Sequence, residues 1–161
     1  MKKIIILLLL VTLFGCSRQR VPDGFPKLVS VTLTITQEGT PLAGAMVSLI
    51  DPSGSVPFTV GGITNEKGSV ILYTHGLHKG APLGKFKVCI VKTESDSVPP
   101  APALYTPEFE AYTQALKKNP PKTYTLVEKR YTNLNTTPLE LDISGSLTTT
   151  LDVGKMVKDV L

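Results

Sequence analysis

The chain reads as an all-β protein: a two-sheet antiparallel Greek-key sandwich of about seven short strands with one short helix in an insert. Three observations predict it. Apolar residues alternate with polar ones in Lys27–Thr36 (KLVSVTLTIT) and again in Thr137–Val153. A period of two is the mark of a strand with one face in a core and one in water. Turn residues punctuate these runs at short intervals, as in Asp51-Pro52-Ser53-Gly54 and Thr64-Asn65-Glu66-Lys67-Gly68. A single run, Thr106–Asn119, carries helix signals instead.

The first residues are of another kind. Met1-Lys2-Lys3 is basic, Ile4 to Phe14 is almost wholly apolar, and Gly15-Cys16 is followed by polar Ser17-Arg18-Gln19-Arg20. These eleven residues, all apolar but Thr12, rise about 1.5 Å each and fall short of a hydrocarbon core of about 30 Å. Such a run with these flanks reads as a signal peptide over 1–15. Leu13-Phe14-Gly15-Cys16 is similar to a lipobox. That resemblance implies a lipid on Cys16, a place on the cell membrane or outer membrane, and a domain facing away from the cytoplasm. Two or more acyl chains anchor stably where one does not. Residues 16–26, with Pro22, Gly24 and Pro26, read as a flexible tether. Residues 27–161 form the domain, with an insert at 93–125.

Charge excludes one class of partner. The 161 residues carry 17 Lys and Arg against 13 Asp and Glu, and two of the basic residues, Lys2 and Lys3, belong to the leader. No dense basic face remains, so no nucleic-acid footprint is expected.

The strands follow in order. Val29, Val31, Leu33 and Ile35 point inward from the first. Gly39 and Pro41 turn the chain into Ala45–Asp51, where Ala45, Val47 and Leu49 share the core face and Met46, Ser48 and Ile50 the other. Val56–Val60 is a short edge candidate, since Pro57 lacks an N–H. Thr64–Gly68 reads as a hairpin, with Asn65 bonding the backbone two residues on and Gly68 suited to positive φ. One carboxylate in this turn, Glu66, is too few for calcium. Ser69–Thr74 and Lys85–Lys92 then supply Val70, Leu72, Phe86, Val88 and Ile90 to the core.

Two groups on this stretch have chemistry to weigh. Cys89 is out of phase with its inward neighbours and shares a face with Lys85 and Lys87. It reads as a small half-buried residue; the sharper alternative is a thiol acidified by the lysines. His75 and His78, in THGLHKG, read as two solvated loop histidines, because a zinc site needs three or four ligands. No metal and no cofactor are expected.

The insert opens with a proline-rich arm, Ser95–Pro102. Thr106 suits an N-cap, Pro107 the first helical position, Glu108 and Glu110 the positive end, and Lys117 and Lys118 the negative end. Phe109, Tyr112 and Leu116 make one apolar face. Covering a sheet is its expected role, and receiving a partner the alternative. Leu139, Leu141, Ile143 and then Leu147, Thr149, Leu151, Val153 read as a last hairpin turned by Gly145, with Gly154–Leu161 extending it or fraying.

Taken together, the Gly44-Ala45 strand entry, the Thr64–Gly68 turn, the Gly84-Lys85-Phe86-Lys87-Val88 strand and the basic-aromatic pair Arg130-Tyr131 occur in the order seen in carboxypeptidase-regulatory-like (transthyretin-like) domains. The chain resembles that family over roughly Leu28–Val153. The resemblance implies a non-catalytic module with a binding or structural role in the cell envelope, with a protein or glycan as partner. A starch-binding-like reading would need exposed aromatics, for which Tyr73, Tyr105, Tyr112 and Tyr131 are the candidates. A related branch hydrolyses 5-hydroxyisourate and ends in Tyr-Arg-Gly-Ser; this chain ends Lys158-Asp159-Val160-Leu161 and departs from it.

Overall fold

The computed structural model describes residues 25–161. The leader and Cys16 lie outside the described residues. The domain is a β-sandwich with one α-helix. Its two main sheets hold seven strands of three residues or more: β1 (Val31–Gln37), β2 (Met46–Ile50), β3 (Val60–Ile63), β4 (Ser69–Ile71), β5 (Gly84–Val91), β6 (Glu140–Ile143) and β7 (Leu147–Asp152).

The larger sheet runs β6-β5-β2-β3 and is extended by two short strands, Tyr73–Thr74 and His78–Lys79. The smaller is centred on β1, with β7 along one side and both β4 and Thr40–Pro41 along the other. Val31, Leu33 and Ile35 of β1 are fully buried against Val47, Leu49, Phe86, Val88 and Ile90 of the larger sheet. Each such side chain contributes about 1.5–3 kcal/mol by leaving water. The intervening threonines of β1 are only partly covered, as their phase requires.

Two expected hairpins are crossings between sheets. Thr64–Gly68 joins β3, in the larger sheet, to β4, in the smaller. Asn65 does build the turn, its Oδ1 accepting from the amides of Lys67 at 2.9 Å and Ser69 at 3.0 Å. Gly68 has φ +70°, and a Cβ there would sit 2.5 Å from the Ile35 carbonyl oxygen. Ser144–Ser146 likewise carries the chain from β6, antiparallel to β5, over to β7. β7 runs parallel to β1, from Leu147 opposite Val31 to Asp152 opposite Thr36. The alternation fixed which residues turn inward but held no information on which sheet receives them. The Val56–Val60 strand is also shifted: β3 starts at Val60 and includes Gly61 and Gly62. Gly62 faces the other sheet, where a Cβ would lie 2.6 Å from Val70 Cγ2, so glycine lets the layers close.

A third, small sheet organises the insert and the C-terminal residues. Thr93–Ser95 pairs with Thr123–Thr125, which pairs with Asp159–Val160. The helix α1 (Pro107–Lys118) hangs from the loop between the first two. Thr106 caps it, accepting from the Phe109 amide at 3.2 Å, and Pro107 opens it. Gln37 ties this unit to the sandwich. Its buried Nε2 donates to the Leu126 carbonyl at 2.8 Å and to the Lys155 carbonyl at 3.0 Å.

At the first crossing, buried Thr64 donates from Oγ1 to the Leu42 carbonyl at 2.6 Å and accepts from the Ala45 amide at 2.8 Å. Thr64→Val keeps the shape and leaves both backbone groups unpartnered. A loss of about 1–3 kcal/mol in urea unfolding is expected, and Thr64→Ser should recover most of it. Equal stability of Thr64→Val and wild type would contradict the role of the hydroxyl.

Candidate functional site

Phe25 closes the segment read as a tether, and it is packed. Its ring lies 4.8 Å from that of Phe58 and 4.9 Å from that of His78, centroid to centroid. His75 completes the group, 5.3 Å from Phe58 edge to face and 6.1 Å from Phe25. Tilted and edge-on pairs at such distances are favourable. Pro57 fixes the approach to Phe58, and the turn between Tyr73–Thr74 and His78–Lys79 presents the imidazoles. His75 takes φ +53°, its amide donates to the Thr59 carbonyl at 2.8 Å, and its Nδ1 lies 3.3 Å from the Thr59 hydroxyl. His75 stays exposed on its turn, as expected, while His78 is half-buried on a short strand, and both rings belong to an aromatic junction between the incoming chain and the sandwich. Among the described residues no group of three or more His, Cys, Asp or Glu is placed to hold a metal ion.

The carboxylates that depart from ordinary acidity are engaged in structure. Asp51 is held below its usual range first by the Ser53 hydroxyl and then by the Ser53 amide, which builds the turn after β2. Glu140 is lowered by Lys87, whose Nζ lies 2.6 Å away. Asp152 is lowered chiefly by the Gly39 amide at 3.0 Å; the Thr36 hydroxyl and the Gly154 amide also donate to it, tying the end of β7 to β1. Beside the Lys87–Glu140 pair, Pro52, Lys85, Phe86, Leu141 and Asp142 line an open cleft of about 410 Å³.

Cys89, on β5, is 5% exposed. Burial pushes its thiol up. That direction runs against the acidified-thiol alternative, and Lys87 is paired with Glu140. Of the tyrosines weighed as a sugar platform, Tyr131 is buried, with the Arg130 guanidinium 4.8 Å from its ring centre. Tyr112 is half-buried and donates to the Pro99 carbonyl at 3.0 Å. Tyr73 lies over β3 and Tyr105 stands 98% exposed before the helix, so the four do not form one platform.

Phe109, Tyr112 and Leu116 do lie on one face of α1, all half-buried. That face does not cover a main sheet: no residue of α1 is buried, and no strand packs broadly on it. It leans on its own arm, where Asp96, Val98, Pro99 and Leu116 border a shallow cleft with Pro120 and Pro121. Helix signals specify a start, a stop and an apolar side; they do not say what that side meets.

No family model matches the chain, and no curated protein does. Among solved structures, the major pilin subunit of Bacillus cereus aligns at 15% identity with a TM-score of 0.40, over 80% of this chain and 30% of that one. The chain thus spans under a third of that protein, and a likeness this distant carries no weight on fold or function.

Of the two residues that sequence reasoning passed over at the junction, Phe58 had a local signal, an aromatic directly after a proline. Phe25 had none beyond its position between Gly24 and Pro26. For Cys89 the structure makes a direct prediction. In native protein at mildly alkaline pH, iodoacetamide should modify it at least about tenfold more slowly than in urea, since only the thiolate reacts. Equal rates in the two conditions would contradict its burial.

Proposed function

We propose that this protein is a lipid-anchored β-sandwich module displayed outside the cytoplasm, with a binding or structural role in the cell envelope and no catalytic activity. The observation that carries the reading is Gly15-Cys16 at the end of an apolar run, nine residues before the aromatic junction at Phe25. Nine residues span at most about 30 Å, so lipid on Cys16 would keep the domain close to the membrane surface. Attachment of Phe25 to Phe58 and His78 supports a defined end facing the membrane. The engagement of Asp51, Glu140 and Asp152 in turns and pairs, and of Cys89 in a buried strand, supports a module without a nucleophile or a general base.

In this reading the insert is the surface offered to a protein or glycan partner. Phe109, Tyr112 and Leu116 form its half-buried apolar side, and exposed Leu104 and Tyr105 precede them. Exposed Leu104 and Tyr105 beside that half-buried side add apolar area that suits a contact surface.

Metabolic labelling with a clickable fatty acid tests the anchor. Wild type should be labelled and sediment with membranes; Cys16→Ser should be unlabelled and move to the soluble fraction. Identical labelling and fractionation of the two proteins would overturn the reading.

A further inference from the structure

We infer that β7 is a self-recognition edge, on which two copies of this chain pair antiparallel about a two-fold axis through Thr149.

Sheet edges expose unpaired N–H and C=O groups, and proteins blunt them with charge, proline or shortness. β6 carries Glu140 and Asp142, with Lys87 paired to the former. His78–Lys79 is two residues long and holds a lysine. Thr40–Pro41 is equally short and holds a proline. β7 has six residues, Leu147-Thr148-Thr149-Thr150-Leu151-Asp152, and forms the end of its sheet. It holds no proline. Its one charge, Asp152, is folded back onto the Thr36 hydroxyl and the Gly39 and Gly154 amides of its own subunit. From Ile143 to Leu151 there is no charged residue at all.

The pairing with β1 shows which groups are free. The Leu147 amide donates to the Ser30 carbonyl at 2.9 Å and the Val153 amide to the Thr36 carbonyl at 2.8 Å. By alternation, Leu147, Thr149, Leu151 and Val153 bond toward β1, whereas Thr148, Thr150 and Asp152 direct their N–H and C=O groups away from it. Thr148 and Thr150 are exposed.

The occupant follows from self-complementarity. Leu147-Thr148-Thr149-Thr150-Leu151 reads the same in both directions. Antiparallel pairing of two copies centred on Thr149 puts Thr148 opposite Thr150 and Thr150 opposite Thr148, each pair exchanging two backbone hydrogen bonds. Leu147 meets Leu151 on the inner face, where both already pack partly against the core. Asp152 meets Ser146, not a second carboxylate. Cross-strand Leu–Leu and Thr–Thr pairs of this kind are favourable, and no like charges are opposed. A two-fold contact of one surface with itself closes, giving a dimer instead of a filament.

The register makes the test specific. Thr149 would face its own copy in a non-hydrogen-bonded pair with Cα atoms about 4.5 Å apart, inside the range of about 4.4–6.8 Å that a disulfide spans. The full chain is produced in cells as Thr149→Cys and, separately, as Thr148→Cys, then oxidised with copper phenanthroline and run on a non-reducing gel. Wild type controls for links through Cys16 or Cys89. Thr149→Cys should give a disulfide dimer at least about tenfold more abundant than Thr148→Cys does, because Thr148 faces Thr150 and not itself. Adding Thr148→Lys and Thr150→Lys to Thr149→Cys should abolish the dimer. Producing that triple variant together with its Thr148→Glu, Thr150→Glu counterpart should restore a mixed dimer. No dimer from Thr149→Cys, equal dimer from Thr148→Cys, or a linked species of other mass would each overturn the inference. If the lysine variant does not fold, the comparison of the two single cysteines decides alone.

Discussion

Everything in this domain depends on the chain's change of sheet at Thr64–Gly68. At that point the chain leaves the larger sheet at β3 and enters the smaller at β4, so the backbone must run through the rim of the core with its polar groups paired. An unpaired buried amide or carbonyl costs about as much as a lost hydrogen bond, and a turn in this place collects several. The protein resolves this with one hydroxyl and a set of backbone bonds. Thr64 Oγ1 serves Leu42 and Ala45, the Thr64 amide donates to the Ala45 carbonyl at 2.9 Å, and the Ile35 amide donates to the Gly68 carbonyl at 2.8 Å. β1, β2, β3 and β4 meet in that knot. Gly62 and Gly68, on either side, are glycines because Val70 and Ile35 leave no room for a Cβ.

The same logic recurs wherever a polar group is buried. Thr74 donates to the Gly80 carbonyl at 2.8 Å, Thr125 to that of Val127 at 2.9 Å, and Thr137 to that of Val88 at 2.6 Å. Gln37 bridges two segments that are far apart in sequence. Buried polar side chains here hold irregular connections to regular strands. That pattern commits these polar groups to the architecture of the sandwich.

How much of this was legible in the sequence divides along one line. Period-two alternation reported which side of each strand meets the core, and Val31, Leu33, Ile35, Val47, Leu49, Phe86, Val88 and Ile90 are buried as their phase requires. Capping residues reported α1, because Thr106, Pro107 and Asn119 act within a few residues of themselves. Destinations were not legible. A turn rich in glycine reverses a strand within its sheet or passes it to the other sheet, and Thr64–Gly68 and Ser144–Ser146 look alike in either case. Partners separated by tens of residues, such as Asp159–Val160 on Thr123–Thr125 or Phe25 on Phe58, leave no local trace. Cys89 reads from the sequence as half-buried and is 5% exposed, because alternation assigns a residue to a face and does not say what covers that face.

Two features would then set how the proposed module works: an anchor at Cys16 about nine residues before a packed aromatic junction, and an insert whose half-buried apolar helix face leans on its own proline-rich arm. On the proposed reading, the first would give the domain an orientation and the second a surface to present. The anchor is the claim on which this picture turns, and its most direct measurement is the intact mass of the protein extracted from membranes. The account predicts a chain that begins at Cys16 and carries the added mass of two or three acyl chains on that residue. A chain that retains Met1, or begins elsewhere, or begins at Cys16 without added mass would contradict it.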